Sequence, residues 1–250
     1  MDWASKRKLW YSGGFLLVLI VFIGLPAFAV LYKKPSCKDR KQNQGEQGID
    51  CGGPCVLLCK PAENNPQVQW QQTFKVTETM YTAAAYVHNP NLEAEAFNVP
   101  YTFSIYDIDN TLILEKKGVA YVPPRKSFLI MEAGLDMGDK VPARTFIDIG
   151  TTFSWQRAPQ DRPEPLIENQ LLTQTPTGPV ITADLSNPTY KDISEVIVFA
   201  VVYGTDGNAF AVSRTLVDQL YRQTSKPIVF TWPRSFVKEV SRIEIIALPR

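Results

Sequence analysis

The sequence predicts an all-β fold: two tandem β-sandwiches, preceded by one transmembrane helix and a small disulfide-tied module. Three observations carry this. Short stretches of alternating apolar and polar residues recur along the carboxyl-terminal two thirds, in the same order and at a nearly constant offset. One uncharged apolar segment lies near the amino terminus. All four cysteines fall within 23 of the 250 residues, between Cys37 and Cys59.

The apolar segment is Leu9 to Tyr32, "LWYSGGFLLVLIVFIGLPAFAVLY", which contains no charged residue. At helical rise its 24 residues span roughly 36 Å, enough to cross a bilayer core with some tilt. Trp10, Tyr11 and Tyr32 lie near its ends, where amphipathic rings favour the interface. Pro26 after Gly24 predicts a kink, which membrane spans tolerate. Two alternatives compete. "AFA", Ala27 to Ala29, resembles a cleavage site behind the run Phe15 to Gly24, and cleavage there would release a secreted protein. A buried helix of a soluble protein would satisfy the same composition, but a basic cluster at each end suits a span better. Residues 1–8 are then expected as a cytoplasmic tail and 9–32 as the span.

The formal charge of +1 is unevenly distributed. Eight Lys and Arg against Asp2 and Asp39 give residues 1–41 a net of +6, which leaves −5 for the remainder. An acidic bulk argues against nucleic-acid binding, which needs a basic face to neutralise phosphates. Three basic residues precede the span and five follow it. That count leans towards a cytoplasmic carboxyl side, yet large domains translocate largely regardless of charge. The cysteines decide the orientation.

Their spacing is C-x13-C-x3-C-x3-C. Zinc sites favour C-x2-C knuckles, absent here, and the segment has no histidine. Residues 35–60 are too poor in apolar side chains to form a core, so covalent staples must hold them. Two disulfides among Cys37, Cys51, Cys55 and Cys59 fit an oxidising compartment, with three pairings open. Between the cysteines, Asp39, Asn43, Glu46 and Asp50 alternate with Gly45, Gly48, Gly52 and Gly53. Oxygen ligands on a glycine-turned loop suit calcium, although the spacing is not that of an EF-hand. The simpler reading is a stapled turn whose Asp and Asn side chains cap the backbone.

The stretch C-x-D-x-x-x-N-x-x-E-x-G-x-D-C-G-G-P-C-x-x-x-C resembles a cysteine-rich motif of bacterial and archaeal surface proteins. There it sits between a membrane anchor and extracytoplasmic β-domains. The resemblance implies an extracytoplasmic location and no activity. One departure is Arg40, where the motif usually has glycine.

Beyond Lys60, "PAENNPQVQ" reads as a linker. "NVPYTFSIYD" then places Val99, Tyr101, Phe103 and Ile105 on one face of a half-buried strand, with Asp109-Asn110 as the following hairpin turn. "RTFIDIGTTFSW" is another strand-like stretch. "RAPQDRPEPLIENQ", Arg157 to Gln170, reads as an interdomain linker. The pattern then returns. "YVHNPN" (86–91) matches "DLSNPT" (184–189), "SIYDIDNT" (104–111) matches "VVYGTDGN" (201–208), and "ARTFIDI" from Ala143 matches "SRIEIIA" from Ser241, at offsets of 97 or 98. This predicts a duplicated sandwich of about 90 residues, over 68–156 and 171–250. "FSIYD", Phe103 to Asp107, is similar to the signature of the FxLYD family, with Asn89-Pro90 and Pro123-Pro124 as further likenesses. That resemblance implies an immunoglobulin-like extracytoplasmic fold. The second copy departs from it at Ala200 and Gly204.

No catalytic motif emerges. His88 is the sole histidine, and neither a phosphate-binding nor a dinucleotide-binding glycine pattern occurs. Only a Ser-Lys arrangement stays open to an enzyme. Glu93 and Glu95 are expected as solvated acids. Trp155 and Trp232 are expected in packing rather than as sugar-stacking platforms. The expectation is a non-enzymatic, membrane-anchored binding or structural module of the cell envelope, with the bilayer and an envelope protein or glycan as partners. The alternatives are a subunit of an envelope membrane complex and a secreted protein.

Overall fold

The structure, a computed structural model, describes residues 3–24, 26, 36–59 and 64–249. The expected end of the span at Tyr32, the Ala27–Ala29 cleavage motif, the cations Lys33 and Lys34, and Pro61 to Glu63 of the first linker lie outside the described residues. The chain divides into two compact units, Met1–Cys55 and Val56–Arg250.

In the first unit, α1 (Trp3–Leu19) continues into a π-helical turn, Ile20–Gly24. The helix begins well before Leu9. Lys6, Arg7 and Lys8 are good helix formers, and the Arg7 guanidinium lies over the Trp3 ring one turn back, 4.6 Å from its centroid. Lys6–Gly24 is long and apolar enough to cross a membrane or to serve as a signal sequence, with a mean hydropathy of 1.4. The wide turn falls just before Pro26, where the missing N–H and the ring disturb an α-helix.

Among the described residues the second unit contains thirteen strands. The first set is β1 (Gln67–Lys75), β2 (Met80–His88), β3 (Ala94–Tyr106), β4 (Leu112–Val122), β5 (Ser127–Asp136), β6 (Arg144–Ile149) and β7 (Trp155–Arg157). The second set is β8 (Leu166–Thr175), β9 (Gly178–Asn187), β10 (Ile193–Gly204), β11 (Ala209–Leu220), β12 (Thr224–Thr231) and β13 (Val240–Pro249). The first set forms sheets β1-β2-β5 and β4-β3-β6, and the second forms β8-β9-β12 and β11-β10-β13, all antiparallel. The strand order is thus repeated, and both halves are sandwiches. Val99, Tyr101, Phe103 and Ile105 are all buried, as their alternation predicts.

The repeat extends to turn chemistry. After β3, the Asp107 N–H donates to Thr111 O and the Asn110 N–H to Asp107 O; after β10, the Gly204 N–H donates to Asn208 O and the Gly207 N–H to Gly204 O. Asn110 and Gly207 have φ of 61° and 75°, the left-handed geometry that such turns require. The two Asn-Pro steps correspond as well. Asn89 and Asn187 are completely buried. Asn89 Nδ2 donates to Ala94 O and Pro123 O, and Asn187 Nδ2 donates to Lys191 O and Leu220 O. Each Oδ1 accepts the N–H two residues on, at Asn91 and Thr189. Each asparagine therefore ties the approach to one strand to the end of the next. Truncating Asn187 to alanine removes its hydrogen bonds to Lys191 O, Leu220 O and the Thr189 N–H, leaving Lys191 O only the Thr189 hydroxyl, and is expected to cost about 2–3 kcal/mol in urea unfolding.

The two sandwiches share a face. Along β10, Val196, Val198, Ala200 and Val202 point into the second sandwich's own core, while Phe199, Val201 and Tyr203 belong to the first sandwich's cluster. Val212 and Leu248 join them there. A polar cluster completes the seam. Tyr86, stacked on Trp70, donates to Glu244 at 2.6 Å, and Tyr203 donates to the same carboxylate at 3.2 Å. Burial first, and Glu244 second, push both hydroxyls above the ordinary tyrosine range, so they remain donors.

The expected linker 157–170 is shorter in the structure. Arg157 ends β7 and Leu166 opens β8, which leaves 158–165 as the connection. β8 escaped the sequence reading because it is a largely exposed edge strand with a bulge between Glu168 and Leu171, at Asn169 with φ 52°. The stretch "RTFIDIGTTFSW" is also two strands, separated at Gly150, whose N–H turns to Pro100 O.

Candidate functional site

The cysteine segment contains two disulfides. Cys37 is bonded to Cys55, Cys51 and Cys59 are disulfide-bonded too, and no cysteine is free. Zinc ligation needs thiolates, so the alternative of a zinc knuckle does not apply. The sulfurs of Cys37 and Cys55 converge with the Glu46 carboxylate, whose Oε1 lies 3.2 Å from Cys55 Sγ. With both sulfurs in a disulfide, that trio offers a metal one carboxylate and no thiolate.

The structure gathers the four oxygen-bearing residues through backbone contacts. Asp50 accepts from the N–H groups of Asp39 and Arg40, at 3.0 Å for each. Asp39 accepts from the Lys41 N–H at 2.9 Å and from Asn43 Nδ2 at 2.9 Å. Glu46, itself buried, accepts from the N–H groups of Asn43 and Asp50. The Asn43 hydrogen bond, the largest cause, outweighs desolvation and, with the Lys41 and Ser36 N–H groups and the Lys41 charge, holds the Asp39 carboxyl below its ordinary value. Asn43 turns its amide nitrogen towards Asp39, and its oxygen accepts from Gln44. To hold calcium, the Asn43 amide must turn over, and the carboxylates must release N–H groups they now satisfy. The arrangement is that of a capped, stapled turn.

The glycines are set by geometry. Gly53 has φ +56°, and a Cβ there would lie 2.3 Å from the Gly45 carbonyl oxygen. Arg40, where the resembled motif has glycine, has φ 60°.

Within the second unit, Val56–Leu58 forms a short extension of the first sandwich. Leu57 bridges to Gln156, the Leu58 N–H donates to Trp155 O, and the Arg157 N–H donates to Val56 O. The part of the expected module just before Cys59 is therefore paired as sheet.

Glu95 corrects the expectation of a solvated acid. It is 3% exposed on β3, and Arg162 of the 158–165 connection grips both its oxygens, at 2.5 and 2.9 Å. Tyr121 donates to Glu95 at 2.6 Å and also contacts the Arg162 guanidinium. Burial, then the Glu95 hydrogen bond, push the Tyr121 hydroxyl above the ordinary range. Alternation along β3 does not flag Glu95, because its neighbours Ala94 and Ala96 are buried too and a bulge between Ala96 and Val99 breaks the period. Nothing local marks Arg162 as its partner.

His88 meets Ser127 across the β2–β5 register, Nδ1 to Oγ 3.1 Å. Among the described residues no carboxylate hydrogen-bonds to this ring, so the orienting third member of a triad is not found there. Trp155 is buried in the first core against Phe153, and Trp232 donates to Val212 O while packing on Phe236. The Trp155 ring is taken up by core packing, whereas Trp232 is half-buried and also lines a surface pocket with Phe210, Pro233 and Phe236.

The chain matches no protein-family model and no curated protein sequence. Among solved structures, a transglutaminase from red sea bream aligns with 73% of this chain and 29% of its own, at 10% identity and a TM-score of 0.23. A likeness at that score carries no argument about fold or activity.

Proposed function

We propose that the chain is a non-enzymatic, membrane-anchored extracytoplasmic module of the cell envelope, which holds a double sandwich in a fixed form as a binding or structural surface. The observation that carries this reading is the pair of disulfides next to an apolar helix, because such bonds persist in oxidising compartments. The shared face between sandwiches supports it, since a projecting surface gains from having no hinge. The test is topology in intact cells. A membrane-impermeant protease is expected to remove the sandwiches from the outside, and alkylation under denaturing conditions without reductant is expected to label no cysteine. Four labelled cysteines, or full protection from the protease, would reverse the orientation.

A specific feature favours the second reading, a subunit of an envelope complex. At one end of the first sandwich, Leu112 pairs with Tyr106, Tyr106 packs edge-on against Phe146, and Ile108 and Val141 stand in the adjoining loops. Ile108 is 74% exposed and Val141 70%. Apolar clusters of this kind mark protein contacts. A photo-crosslinker at Ile108 that gives one discrete adduct in cells, with none at exposed Leu216, would favour the complex. No adduct at either would favour the free-standing module.

A further inference from the structure

We propose that the cysteine module carries a basic face, built from Lys38, Arg40 and Lys41, that rests on anionic lipid headgroups. This rests on the membrane-anchored reading and adds to it a lipid class and the residues that select it.

Two independent observations point this way. The first is how charge is arranged. Residues 33–59 contain five cations, Lys33, Lys34, Lys38, Arg40 and Lys41, against Asp39, Glu46 and Asp50. The three carboxylates are engaged with the backbone: Asp50 with the Asp39 and Arg40 N–H groups, Asp39 with Lys41 N–H and the Asn43 amide, and Glu46 with the Asn43 and Asp50 N–H groups. The three described cations are exposed, and among the described residues none forms an ion pair. The turn therefore draws its acids towards its own N–H groups and leaves its cations exposed, although Asp39 still feels the Lys41 charge. Lys38 follows Gly24, where the π-helical turn ends, by 14 positions, so covalent reach alone keeps the face within about 50 Å of that turn. Each cation of a basic cluster next to a span is attracted by an anionic leaflet, an attraction that falls off within a Debye length.

The second observation is the backbone at Arg40. Its φ of 60° is a left-handed conformation that glycine adopts freely and that costs a side chain some strain, as it does at Gln44, Arg125, Glu195 and Gln223. The N–H of residue 40 supplies the capping contacts to Asp50, and glycine would supply them equally well. The Arg40 side chain is exposed and, among the described residues, forms no ion pair, so it is available to an anion outside the turn.

The experiment uses the full chain reconstituted in vesicles of phosphatidylcholine mixed with phosphatidylglycerol. After an alkaline wash and flotation, the lipids that co-purify with the protein are counted by mass spectrometry. Wild-type chain is expected to enrich phosphatidylglycerol over phosphatidylcholine, and the Lys38→Gln/Arg40→Gln/Lys41→Gln variant to lose about tenfold of that preference. Arg40→Gly separates this role from a structural one. It is expected to slow reduction of the module's disulfides by dithiothreitol about threefold, because strain is relieved, while it weakens the lipid preference. Equal phosphatidylglycerol enrichment by wild type and the triple variant would overturn the proposal. So would an Arg40→Gly variant that changes only the reduction rate. A chain that fails to float after the wash refutes the anchor itself, and the lipid face falls with it.

Discussion

Replacing Arg162 with alanine is expected to destabilise the protein by about 3–5 kcal/mol, or roughly 10 °C in Tm. The reason is what the replacement leaves behind. Glu95 is 3% exposed, and Arg162 meets both its oxygens. Without the guanidinium, a buried carboxylate keeps only the Tyr121 hydroxyl. The cost belongs to the orphaned charge rather than to the ion pair as such. Removing both partners should therefore recover most of it, because an apolar pair of like volume avoids the desolvation of two ions. Urea unfolding of Arg162→Ala, Glu95→Leu and Arg162→Met/Glu95→Leu measures this directly. A double variant more stable than Arg162→Ala is the expected signature. A loss below about 1 kcal/mol in Arg162→Ala would mean that Glu95 is solvated in solution.

Arg162 also shows where the sequence stops being readable. Its neighbours Pro159, Pro163 and Pro165 mark an irregular segment, and that reading holds for 158–165. Nothing in "PQDRPEP" says that the arginine reaches 67 positions back to β3. Local pattern reports local structure, and a partner set by tertiary topology leaves no trace in spacing. The duplicated turns are the opposite case. Asp107 to Thr111 and Gly204 to Asn208 carry their own geometry in Asn110 and Gly207, so the repeat could be found from residues alone. Between these extremes lies the cysteine segment. Its disulfides were legible because four thiols crowd into a stretch with no core. The roles of Asp39, Asn43, Glu46 and Asp50 were not, because a capped turn and a calcium loop use the same oxygens on the same glycines. Only the direction of the Asn43 amide and the N–H groups facing each carboxylate distinguish the two.

The shared face left a signal that alternation alone does not use. "VIVFAVVYG", Val196 to Gly204, is a continuous apolar run, and continuous runs mark strands covered on both sides. "TAAAYV", Thr82 to Val87, is the matching strand of the first sandwich, with small side chains where two layers approach. A lone sandwich with one face in water would alternate at both places.

Val201→Glu in the full chain is accordingly expected to be as damaging as a change in either core, at about 4 kcal/mol or more. Val201 is fully buried and points away from its own sandwich, into the cluster that includes Phe199 and Tyr203. The seam's Arg242 is already engaged, paired with Glu244 and laid over the Tyr203 ring, so it does not replace that carboxylate's water. It also stands opposite Glu244 in the β10–β13 register, so repulsion adds to desolvation. The sandwiches can relieve both effects only by separating, which would free the 158–165 connection for a protease. Leu216→Glu is the control. Leu216 lies on β11 but is 53% exposed, and the change should stay within about 0.5 kcal/mol with the connection still protected. If Val201→Glu instead behaves like Leu216→Glu, the two sandwiches do not share a face in solution. If it unfolds the second sandwich without exposing 158–165, the damage is internal to that sandwich. Fast cleavage in the connection of a chain that still unfolds cooperatively as two separate units is the outcome that the double burial of β10 requires.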